Sequence, residues 1–325
     1  MIKRTNKAYL IILSSLFILA ACQPSNKQVN AEPTTESKKK TQAILLTQSF
    51  DYDNTNKNKI SGDYVAKNKL VVPQNLEPQN KWVMFEGPVL ENDLIAYRFY
   101  MDSRHRNDIY GKRVKDLVMD TVGWDYHNIM DWGSDILKVG ESLGIGSPAI
   151  FYQDSIYALS NCREKTVEIT ENGDDKSTIR TTFNELVIGE DTLNIIQDWS
   201  ISAGEAWCEI ELEIIDDELP EGMRFATGIV KHLEDHTEGA SNGSLYAYTW
   251  GKQSFHKENM GMGLMMDQGF QPENLPNSLS HVYIFNNATD KVSYRFLAAW
   301  ERDAIGVKDA SGFQELIEAA CKPVQ

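Results

Sequence analysis

Between residues 83 and 303 the chain alternates apolar and polar positions over short runs, and clusters of turn residues separate the runs. A period of two is the signature of half-buried strands. Residues 83–102, VMFEGPVLENDLIAYRFYMD, hold two apolar stretches about a polar Glu91-Asn92-Asp93 turn, which predicts a hairpin. In its second arm Ile95, Tyr97 and Phe99 alternate with Ala96, Arg98 and Tyr100. Arg98, Tyr100 and Asp102 are therefore expected on one face, which either lines a cleft or is the wet side of a sheet. Residues 149–159 predict two strand pieces, and 163–204 predict a meander broken at Glu-Asn-Gly-Asp and Gly-Glu-Asp. In 207–215, Cys208, Ile210, Leu212 and Ile214 share a face. Glu209, Glu211 and Glu213 take the other, and a solvated sheet face explains them better than a catalytic ladder. Helix is scarce. Residues 128–144 have room for a turn or two, and 311–322 predict one helix capped by Ser311, with Phe313, Leu316, Ile317 and Ala320 at helical spacing. So many strands in one long body predict a mainly β fold, a large antiparallel two-sheet sandwich with a short C-terminal helix.

The ends follow different rules. Residues 1–21 combine Lys3, Arg4 and Lys7 with an apolar run from Ala8 to Ala21, the pattern of a secretory signal. Leu19-Ala20-Ala21-Cys22 resembles the lipobox of bacterial lipoproteins, in which the cysteine is acylated and becomes the mature N-terminus. Residues 22–42 are polar and read as a flexible tether. Residues 43–325 then form a single domain. The expected location is a lipid anchor in the outer membrane facing the periplasm, with display on the cell surface as the alternative.

Charge narrows the partners. The chain is formally at −15, and loss of the leader takes it to −18. Such a body repels nucleic acid. Yet Arg98, Arg104, Arg106, Lys112, Arg113 and Lys115 fall within eighteen residues beside only Asp102 and Asp108. A basic island in an acidic chain suits an anionic ligand, because arginine forks bind oxyanions bidentately. Asp125, Tyr126, His127, Asp131, Trp132, Asp135 and Lys138 follow closely. Aromatic rings can stack on sugars, while Asp, His and Lys bond to hydroxyls. Trp250 is a further candidate of the same kind.

No P-loop, dinucleotide fingerprint, nucleophile elbow or zinc-protease motif occurs, so no cofactor and no metal are expected. Residues 51–64 have the oxygen-rich look of a calcium loop with the wrong spacing, and a surface turn is preferred. His232 and His236 would share a face on a helix, but their neighbours favour a loop. Cys162, Cys208 and Cys321 leave open either one disulfide and a thiol, or three thiols.

Four stretches carry a resemblance: FEGP (85–88), AYRFYMD (96–102), DIYGK (108–112) and DWGSDILKVG (131–140). With them the region of roughly 80–303 resembles a family of lipoproteins from bacterial polysaccharide-utilisation loci, long labelled a domain of unknown function, that includes an ulvan oligosaccharide dehydratase. The resemblance implies a supersandwich similar to galactose mutarotase. It also implies work on anionic, uronate-containing oligosaccharides, sulfated or not. The expected reaction removes water from the non-reducing-end glucuronic or iduronic acid of ulvan-type oligosaccharides and leaves a 4,5-unsaturated uronyl end. Such a lyase needs a base for the C5 proton, a cation for the carboxylate and an acid for the C4 hydroxyl. His127 and His105 are candidates for the base. Tyr126, Tyr100 or the second histidine are candidates for the acid. Arg98, Arg104, Lys138, Trp132 and Trp250 are candidates for binding. The alternatives are a non-catalytic glycan-binding lipoprotein, a uronate epimerase and a chain-cleaving polysaccharide lyase.

Overall fold

The period-two runs become strands in a computed structural model that describes residues 39–215 and 218–321. The strands between 163 and 215 build the centre of a nine-stranded sheet. Its order is Thr237–Ser241, Ser244–Lys252, Asn259–Asp267, Lys291–Trp300, Trp207–Ile214, Asp191–Ser202, Lys176–Ile188, Cys162–Asn172 and Lys69–Val71. Along Lys176–Ile188 side chains are buried in near alternation, so here one face of the sheet meets the core and the other meets water. Over Ser244–Lys252, Asn259–Asp267 and Lys291–Trp300, by contrast, the C-terminal helix packs on the second face. On the wet face Glu209 pairs with Arg295 at 2.7 Å and Glu211 with Lys291 at 2.6 Å. The acidic ladder is thus a paired, solvated sheet face.

Two five-stranded sheets share the inner side. One runs Ser155–Ala158, Ala149–Tyr152, Arg224–Val230, Ser280–Phe285, Pro272–Leu275. The other runs Thr41–Ile44, Val89–Asn92, Ile95–Phe99, Asn107–Lys112, Gly133–Asp135. Residues 144–145 stitch them together, since Gly144 bridges Asn107 and Ile145 bridges Ile229. A single apolar core takes side chains from all three sheets, among them Tyr97, Phe99, Ile109, Phe225, Tyr283, Trp199 and Phe296. The architecture is mainly β and antiparallel with a short C-terminal helix, as expected, and the second layer is divided into two sheets.

Local details differ from the sequence reading. The helix spans Ala310–Ala320 and is capped by Asp309, whose carboxylate accepts from Gly312 N at 2.9 Å, in place of Ser311. Residues 128–144 hold turns and the strand Gly133–Asp135 but no helix. Thr41–Ile44 is already a strand paired with Val89–Asn92, so the domain begins before residue 43. The leader, Cys22 and most of the tether lie outside the described residues. Cys162, Cys208 and Cys321 are all free thiols. His232 and His236 lie in a turn and face different partners, Lys138 O and Glu238.

Candidate functional site

The strands Ile95–Phe99 and Asn107–Lys112 are buried on both faces. Ile95, Tyr97 and Phe99 point into the core between the sheets. Ala96 and Tyr110 point the other way, into a smaller cluster with Met84, Phe85 and Tyr126. Arg98 shares that second side and is 1% exposed. Its cross-strand partner is Asp108. The guanidinium donates to Asp108 Oδ2 from Nε (3.1 Å) and Nη2 (2.7 Å). Nη2 also reaches Asp135 Oδ2 at 2.9 Å and Tyr100 Oη at 2.7 Å. Nη1 donates to Phe85 O at 2.8 Å and to Tyr126 Oη at 3.1 Å. Tyr100 Oη donates in turn to Asp108 Oδ2 at 2.7 Å. Burial pushes the Asp108 carboxyl up to about 6, helped by the nearby Asp135 and opposed by Arg98. Arg98 is held firmly in its charged form by the tyrosines and carboxylates around it.

Above this network opens a cleft of about 560 Å³ lined by Lys57, Asn58, Gln79, Lys81, Glu86, Tyr100, Arg104, Trp124, Tyr126 and His127. Two loops give it its shape. In the first, Phe85 (φ 62°) and Glu86 (φ 60°) adopt left-handed backbone conformations that non-glycine residues avoid. Arg98 holds Phe85 O, and Met101 N donates to Glu86 O at 3.0 Å. Gly87 cannot carry a side chain, because a Cβ there would lie 1.9 Å from Phe99 O. The Glu86 carboxylate accepts from Gln79 N at 2.6 Å and from Arg104 Nη2 at 2.5 Å. Arg104 is further pinned by Asp102, and its guanidinium lies 3.6 Å from the centre of the Tyr100 ring.

The second loop is residues 126–135. It closes on itself through Asp135 N to Tyr126 O at 2.8 Å and Met130 N to Gly133 O at 2.8 Å. Gly133 (φ 143°) sits where a Cβ would be 1.9 Å from Gly111 O, which is why a glycine stands in DWGSD. The closure puts Asp135 Oδ2 3.3 Å from His127 Nδ1. A carboxylate at Nδ1 keeps the proton there and leaves Nε2 as an acceptor. The His127 side chain is 54% exposed and packs between Tyr126 and Phe255. Lys81 also lines the cleft, with Nζ 3.7 Å from the centre of the Trp124 ring. Partial burial lowers its pKa, against the pull of Glu86.

The cleft therefore unites Tyr100 and Arg104 from one half of the basic island with Tyr126 and His127 from the other. The remaining sequence candidates do not line it. Arg98 lies beneath, saturated by two carboxylates. His105 is 1% exposed and packed between Phe99 and Phe183, with Nε2 2.8 Å from Gln197 Oε1. Burial drives its pKa well below the usual histidine value, so it is a neutral core group. Trp132 packs on Tyr110, Trp250 packs on Phe313 of the helix, and Lys138 is exposed. Lys57, Gln79, Lys81, Glu86 and Trp124 were not singled out by the sequence. Only FEGP signalled any of them, because a glycine and a proline after an acid mark an unusual turn.

A search of curated proteins finds no match. A family model for a domain of unknown function, DUF4861, matches residues 13–325, nearly the whole chain. This chain is a member of the DUF4861 family.

Proposed function

We propose that the protein is a carbon–oxygen lyase, an oligosaccharide dehydratase acting on the non-reducing-end uronic acid of ulvan-type oligosaccharides. The observation that carries this reading is that one cleft is lined by His127, paired with Asp135, together with Lys81 and Arg104. A C5 proton α to a carboxylate becomes acidic only when the carboxylate is neutralised. Arg104 already answers Glu86 and Asp102, whereas Lys81 has no carboxylate within 4 Å among the described residues. Lys81 is thus the main cation for the substrate carboxylate, with Arg104 orienting it. His127 Nε2 takes the C5 proton, and the electron pair becomes the C4=C5 bond as the C4–O bond breaks. Tyr126 supplies the proton that lets the hydroxyl leave as water. Tyr126 lines the cleft and its oxygen accepts from Arg98, whereas the Tyr100 proton is committed to Asp108.

The signal and lipobox support membrane anchoring of this enzyme through acylated Cys22, in the outer membrane facing the periplasm. The test of activity is direct. Saturated, uronate-ended oligosaccharides incubated with the protein are expected to lose one water by mass spectrometry and to gain the ultraviolet absorbance of a conjugated uronate. Binding without either change would leave a glycan-binding protein. Solvent deuterium entering C5 without water loss would make it an epimerase.

A further inference from the structure

A second polar cavity is lined in part by Asp102, whose partner Arg104 lines the cleft. It has a volume of about 70 Å³, and its lining includes Lys165, Ser103, Ser160, Cys162 and Gln74. It adjoins an open groove that shares Gln74, Ser103, Ser160 and Cys162. Lys165 is 5% exposed. Its amine makes two long contacts, 3.4 Å to Met101 O and 3.3 Å to Asp102 O, and has no carboxylate within 4 Å among the described residues. The one acid nearby, Asp102, is turned to Arg104, which it binds through both oxygens. A buried ammonium without a counter-ion is costly, and folded proteins rarely leave one uncompensated.

We infer that this cavity is a binding site for a small monovalent inorganic anion of halide or nitrate size, held by Lys165 with the Ser103 and Ser160 hydroxyls. The volume is several times what one water needs and admits one such ion together with water. A single cation matches a single negative charge, so sulfate is disfavoured. In the ion's absence burial lowers the Lys165 pKa to about 8, and the bound anion would restore the charged form. Its effect would reach the cleft through a short path. Lys165 holds the main chain at Met101 and Asp102, and Asp102 pins Arg104. The inference does not depend on the reaction proposed above.

The test uses the full chain with sodium bromide as the probe, at ionic strength held constant with gluconate. Bromide is expected to raise Tm in proportion to the logarithm of its concentration once above Kd, reaching about 3 °C at thirty times Kd for a domain of this size. It should also slow alkylation of Cys162, which shares the cavity. Both effects should fade as pH rises past about 8 and should vanish in Lys165→Met, which keeps the side-chain volume. Should Lys165→Met fold poorly, an anomalous bromine peak beside Lys165 in crystals of the unaltered protein decides the matter. Equal bromide effects in Lys165→Met, no shift in Tm, or no peak would each overturn the inference.

Discussion

Replacing Arg98 with methionine tests the idea that the cleft stands on a buried charge network. The change keeps bulk but removes the hydrogen bonds to Asp108, Asp135, Tyr100, Tyr126 and Phe85 O. It leaves two carboxylates, 1% and 2% exposed, side by side without a cation. Breaking a buried pair by removing one partner costs roughly 3–5 kcal/mol. In a domain this large that lowers Tm by roughly 6–20 °C. The loss should depend on pH in a defined direction. The Asp108 carboxyl is already raised to about 6, above its value in the unfolded chain, and without Arg98 it rises further. The folded state then holds a proton that the unfolded state releases. Stability therefore falls as pH climbs through that window and recovers as Asp108 is protonated below it. Thermal unfolding followed by near-ultraviolet circular dichroism at pH 8 and pH 5 should show a wide gap between variant and parent at pH 8 and a narrower one at pH 5. A gap below about 3 °C at pH 8, or one unchanged at pH 5, would refute this account.

Other expectations follow from the same geometry. His127→Ala should lower kcat for dehydration by roughly 10²–10⁴-fold with Tm nearly unchanged, because its side chain is half-exposed. His105→Ala should do the reverse, lowering Tm by loss of the Gln197 bond and of packing on Phe99 and Phe183 while kcat per folded molecule stays within about twofold. Lys81→Met should lower kcat/KM for uronate-ended substrates by roughly tenfold or more, the weight of one charge-assisted hydrogen bond, with part of the loss in kcat, and steady-state kinetics would show it. Gly87→Ala should prevent accumulation of soluble protein, since its Cβ would overlap Phe99 O; normal expression with unchanged Tm would contradict that.

The strands were legible because their pattern is local. A half-buried strand such as Lys176–Ile188 writes its inside and outside directly into alternate residues. Ile95–Phe99 shows where this stops. Its alternation correctly put Arg98 and Tyr100 on one side, but period two cannot say whether that side meets water or a second cluster. Arg98 was therefore readable as a cleft cation when it is an internal strut. His105 misled for a similar reason, since its basic neighbours in sequence point elsewhere while its own ring packs into the core. Lys81 and Lys57 were hidden because they reach the cleft from loops with no period of their own. Calcium-like residues 51–64 proved to include part of a cleft wall, through Lys57 and Asn58.

The network beneath the cleft also explains why a mechanism for this site cannot be read from its lining alone. Two consecutive left-handed residues, Phe85 and Glu86, each cost of the order of 1–3 kcal/mol, and such strain persists only where the surroundings over-determine it. Here Arg98 holds one carbonyl, Met101 N holds the next, and the Glu86 side chain ties down Gln79 and Arg104. Asp135 is the shared joint, because one of its oxygens contacts both Arg98 and His127. A proton arriving on His127 would thus be felt by a carboxylate that already answers a fixed guanidinium, and Arg98 in turn answers Asp108. His127 and the strained loop carrying Glu86 are linked through one buried cation, Arg98. Residues 98–115 form a basic island in the sequence, yet in the fold Arg98 is buried beneath the cleft, Lys112 pairs with Glu91, and of the six basic residues only Arg104 lines the cleft, beside Lys81 and His127.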